Sequence, residues 1–71
     1  MTNWKLFSKI IKDAGFTESS LSIAVGRSHG WLHLKRLRGN DFTNGDISKM
    51  CEVLNMDFSS REAVFFARNV D

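Results

Sequence analysis

Few side chains in this sequence can do chemistry beyond charge. His29 and His33 stand four residues apart, a spacing that puts two imidazoles on one helical face. Two imidazoles begin a zinc site without completing it, because zinc takes four protein ligands, or three and a water. The single cysteine, Cys51, lies in the series Ile47, Met50, Cys51, Leu54. That i, i+3, i+4, i+7 spacing turns it toward a core on another helix. No glycine-rich phosphate loop, nucleophile elbow or paired-carboxylate cleft is present. The expectation is therefore no metal, no cofactor and no enzymatic activity.

Charge is the chemistry that remains. The formal net charge is only +2, but it is unevenly spread. From Arg27 to Arg38 there are four cations, Arg27, Lys35, Arg36 and Arg38, and no acid. From Gly39 to Met56 there are Asp41, Asp46 and Glu52 against Lys49 alone. One basic segment on a balanced body suits a polyanion or an acidic protein surface.

The elements that must position this segment lie in FTESSLSIAVGRSHGWLHLKRLRG, Phe16 to Gly39. Thr17 can cap a second helix from Glu18 to Val25, and Ser28 a third from His29 to Leu37. Gly26 sits where the second helix must stop, because glycine takes a left-handed backbone at no steric cost. Leu21, Ala24 and Val25 form the inner side of the second helix, and Ile23 points away from them. Leu32 falls on one side of the third helix, while Trp31, Leu34 and Leu37 make a stripe on another. So small a domain cannot bury both, so part of that stripe is exposed. Gly30 falls in the first turn of this helix.

A first helix runs from about Asn3 to Ala14, capped by Thr2 or Asn3, with Trp4, Phe7, Ile11 and Ala14 inward. Phe42 anchors a loop after Gly39. Thr43 opens a fourth helix, with Asp46 completing a variant of the reciprocal capping box, and Asn55 ends it. A fifth begins at Ser59 or Ser60, with a Ser59–Glu62 capping box and a Phe58–Ala63 staple. Phe65 and Phe66 cannot share a face, so one closes the core. The tail Arg68 to Asp71 is expected to fray.

Seventy-one residues make one domain, residues 1–71, with a single small core. No apolar run approaches the roughly 20 residues of a membrane span, and no signal peptide is recognisable. With one cysteine there is no internal disulfide, which suits a cytoplasmic location. The expected fold is all-α, a compact five-helix bundle with a helix-turn-helix at helices two and three.

The string FTESSLSIAVGRSHGWLHLKRLRGNDFTNGDISKMCEVLNMD resembles the Cro-type, lambda-repressor-like helix-turn-helix family. FTNGDISKMCEVLNMD and the ending AVFFA look like repressor-type regulators in phages of Gram-positive hosts. The opening NWKLFSKIIKDAGFT and the short length look like the antirepressors, or modulators of repression, of temperate phages. Such proteins act in the lysis–lysogeny switch by binding the cognate phage repressor and changing its hold on operators. That resemblance implies protein docking through the outer surface of helices two and three, in the cytoplasm of a bacterial host. Ile23, Trp31 and Leu34 supply the apolar centre, with Arg27, Lys35 and Arg36 at the rim.

The alternative is a Cro-like reader of operator DNA, with helix three in a major groove. Lys35, Arg36 and Arg38 then meet phosphates or guanine edges, His29, Gly30 and His33 lie near bases, and Ser28 helps hold a phosphate. Two departures from the family pattern bear on that alternative. Glu18 stands where DNA-binding members commonly carry a glutamine, and a carboxylate there repels phosphate. The stretch Gly26 to Gly39 is also one residue longer than the usual spacing. Oligomeric state is left open by the sequence.

Overall fold

Asn3 starts the first helix because its side-chain oxygen accepts from the Leu6 N–H at 3.2 Å. In the computed structural model, which describes residues 1–68, five helices and no strand follow among the described residues. They are α1 Trp4–Asp13, α2 Glu18–Ala24, α3 Trp31–Arg38, α4 Asn44–Leu54 and α5 Phe58–Phe65. Of the tail expected to fray, residues 69–71 lie outside the described residues.

Three helices end on the same device. After α2, Gly26 takes φ +82°, its N–H reaches the Ile23 carbonyl and the Arg27 N–H reaches the Ser22 carbonyl. This paired bond satisfies carbonyls that a helix end leaves free. Gly15 closes α1 and Asn55 closes α4 with the same pair of bonds.

Phe7, Leu21, Leu32, Met50 and Val64 are fully buried, joined by Ile11, Val25, Ile47, Leu54 and Phe65. Phe65 is thus the phenylalanine that closes the core, and Phe66 is 43% exposed. Phe42 holds the α3–α4 loop down as expected, with ring centroids 5.7 Å from Trp4, 5.6 Å from Trp31 and 5.7 Å from Phe65. α2 packs chiefly against α3, and α1 and α4 each pack against α5. The first residues are tied to the end of the described segment, Asn3 N–H to the Val64 carbonyl at 2.7 Å and Ala67 N–H to the Met1 carbonyl at 3.1 Å. The radius of gyration, 11.0 Å, is that of a compact chain of this length.

Several local expectations are corrected. α5 begins at Phe58, because Asp57 accepts from the Ser60 N–H at 2.8 Å and takes the cap from Ser59. Phe58 is consequently a solvent-facing first-turn residue, 71% exposed, and the Phe58–Ala63 staple does not form. Thr43 does cap α4, accepting from the Asp46 N–H at 3.1 Å, but the Asp46 carboxylate turns to Arg27 instead of closing the box. Ala24 and Ala14 are exposed, and the inner position assigned to Ala24 is filled by Ser22. Cys51 is half-buried at the core's edge, and burial pushes its thiol pKa up.

Candidate interaction surface

The α2–α3 pair is built around one buried hydroxyl. Thr17 caps α2 reciprocally with Ser20: Thr17 Oγ1 accepts from the Ser20 N–H at 3.0 Å, and Ser20 Oγ from the Thr17 N–H at 2.8 Å. One turn on, Ser22 is fully buried. Its Oγ donates to the Glu18 carbonyl at 2.8 Å and accepts from the Leu32 N–H at 3.1 Å. α3 has no side-chain cap of its own, since Gly30 precedes it. A hydroxyl from α2 therefore satisfies one of its free first-turn donors.

This overturns the reading of Ser28 as the cap. α3 starts at Trp31, and Ser28, His29 and Gly30 form the turn before it, with the Ser28 carbonyl accepting from the Trp31 N–H at 3.1 Å. Ser28 is thus not at the helix terminus that was to hold a phosphate. His29 and Gly30 are not on α3 at all, so His29 and His33 do not share a helical face.

The cations of the segment are largely answered from within. Arg36 gives Glu18 a two-pronged pair, Nε to Oε2 at 2.8 Å and Nη2 to Oε1 at 3.2 Å. His33 Nδ1 stands 3.6 Å from the same carboxylate and 3.1 Å from Arg36 Nη2. The Arg36 hydrogen bond holds the Glu18 pKa below its ordinary value, against the opposing effect of burial. Arg27 reaches Asp46 on α4 at 2.7 Å and lies over the Trp31 ring, 5.3 Å from its centroid. Burial disfavours the Asp46 charge, but hydrogen bonds from Arg27 and Thr43 outweigh it and lower its pKa. Lys35 donates to the Asp41 carbonyl at 3.0 Å and sits 5.7 Å from the Phe42 ring centroid. Lys35 and Arg38 make no ion pair among the described residues.

The other side of α3 is open. Trp31, Leu34, Lys35 and Arg38 repeat as i, i+3, i+4, i+7 and, with Ser28 and Asn40, line a cleft of about 230 Å³. Trp31 is half-buried, backed by Phe42, and Leu34 is 45% exposed. Leu37 and Ile23 are exposed, Ile23 on the side of α2 away from Leu21.

Of the residues singled out by sequence, the fold brings Ser28, Trp31, Leu34, Lys35 and Arg38 to one cleft. It draws Arg27, His33 and Arg36 into internal pairs, and leaves His29 and Ile23 exposed outside both groups. Asn40 and the structural hydroxyl of Ser22 were missed. Ser22 carried a faint signal, a small polar residue beside Leu21. Glu18 and Arg36 are 18 residues apart, and no local pattern joins them.

Among the described residues no group of three or more His, Cys, Asp or Glu side chains is placed to hold a metal ion. No described helix is long and apolar enough to cross a membrane. No protein-family model matches this chain, and comparisons with curated proteins and with solved structures give no match.

Proposed function

We propose that this chain is an antirepressor-type regulator of a phage lysis–lysogeny switch. Its α2–α3 surface docks on the helix-turn-helix domain of the cognate repressor and alters or blocks operator binding. One observation carries this reading: two of the four cations on the basic segment are neutralised by carboxylates of the same chain, while Leu34, Leu37 and Ile23 remain in solvent. A phosphate-binding helix needs free cations, whereas a protein interface needs apolar anchors with a polar rim. Trp31 and Leu34 are the anchors, Lys35 and Arg38 the rim, and Ile23 an outlying contact. Arg27 and Arg36 hold the scaffold rather than the partner. The resemblance of the opening NWKLFSKIIKDAGFT and the short length to the antirepressors of temperate phages supplies the nature of that partner.

Leu34 is a cleaner probe than Trp31, because the Trp31 ring also stacks beside Phe42 and Arg27. Leu34→Asp should weaken repressor capture, measured by titration calorimetry, by about 30-fold or more, as loss of an interface anchor does. Phe58→Asp, an exposed apolar residue on α5, should leave capture unchanged. The opposite pattern would move the interface to another face.

Operator binding is the second reading, and the observation favouring it is the pairing of Lys35 with Arg38 on one open face. Under that reading duplex affinity of the chain alone falls steeply with salt.

A further inference from the structure

We infer that Glu18 is the residue that keeps α3 from binding nucleic acid: its carboxylate occupies the guanidinium of Arg36 that a phosphate would otherwise take. The inference rests on geometry alone and is independent of which protein the surface grips.

The Glu18–Arg36 contact uses Nε and Nη2 together, at 2.8 and 3.2 Å. That is the same fork of donors with which an arginine grips a phosphate. The carboxylate is therefore a direct competitor for the site. Glu18 is also well held. It stands in the first turn of α2, where the helix dipole favours an anion. The Ser22 hydroxyl fixes its backbone carbonyl at 2.8 Å. Arg36 lies on α3 beside Lys35 and two residues from Arg38, neither of which is ion-paired among the described residues. Neutralising Glu18 leaves Arg36 without a carboxylate on the α2-facing side of α3, while Lys35 and Arg38 stand unpaired on its open side. Asp46 remains on Arg27 and does not reach them.

The test uses the full chain and a ~20-base-pair duplex of arbitrary sequence, read by fluorescence anisotropy at low and physiological salt. Glu18→Gln keeps the side-chain shape and removes the charge. It should bind the duplex about tenfold tighter at low salt, with a salt slope steeper by about 0.9, the value of one added phosphate contact. Glu18→Gln/Arg36→Gln should return both quantities to those of the native chain. Arg36→Gln alone should not tighten duplex binding, because it leaves the Glu18 carboxylate in place without its arginine partner. A folded Glu18→Gln with unchanged affinity and slope would overturn the inference. So would a gain that survives in the double variant, or a gain in Arg36→Gln alone. None of these outcomes depends on repressor capture, which is measured separately.

Discussion

The two sides of α3 are made differently. Toward α2 and α4, its groups have answers: the Leu32 N–H meets Ser22, Arg36 meets Glu18, and Arg27 just before the helix meets Asp46. Toward solvent, Trp31, Leu34, Lys35 and Arg38 line an open cleft. Both sides carry apolar and basic residues, so composition does not separate them. The separation comes from which residues the neighbouring helices reach. The answered side holds the fold, and the open side is left to solvent.

Four perturbations break or sharpen that contrast. The largest strikes the answered side: Leu32 is fully buried, and Leu32→Ala should cost about 2–5 kcal/mol of stability in chemical denaturation. On the open side, Leu34→Asp should cost about 2 kcal/mol of repressor binding but no more than about 1 kcal/mol in stability, since Leu34 is 45% exposed and lies outside the buried core. If Leu34→Asp unfolds the chain, the two sides are not separable.

Ser22→Ala should cost about 1–2 kcal/mol in the same denaturation experiment, because it leaves the buried Leu32 N–H without an acceptor. A cost near zero would mean that α3 does not depend on α2 for its first turn. The smallest effect is in acid. Glu18 and Asp46 have folded pKa values below their ordinary 4.5 and 3.8. The stability they add is therefore present above those ordinary values and lost as pH falls through the folded ones. Thermal melts should show a declining acid limb, flattened in Glu18→Gln and Asp46→Asn. A limb unchanged in both variants would show that these pairs do not stabilise the fold.

How far the sequence could be read follows the same contrast between local and distant partners. α4 was legible because its Thr43 cap, its apolar spacing and its Asn55 stop all lie within a dozen residues; only the Asp46 half of the expected box is overridden from elsewhere, by Arg27. The same holds for the Thr17 cap and the Gly26 stop of α2. The start of α3 was not legible. Ser28 is a good cap residue locally, but the acceptor that fixes the first turn comes from Ser22, ten residues away. At α5 two local caps competed, and Asp57 prevailed over Ser59. The choice between Phe65 and Phe66 needed the positions of Phe7 and Phe42, whose rings lie 5.0 and 5.7 Å from Phe65. For the surface, the helical stripe foretold that Trp31 and Leu34 are available. The quenching of Arg27 and Arg36 needed Asp46 and Glu18 brought in from other helices.

The claim that the open side of α3 grips a protein rather than DNA is tested most directly by operator binding of the purified chain, with and without the cognate repressor, at low and physiological salt. The account predicts no specific shift by the chain alone, and loss or alteration of the repressor's own shift when both are present. A specific, steeply salt-dependent shift by the chain alone, with the repressor's shift unaffected, would contradict it.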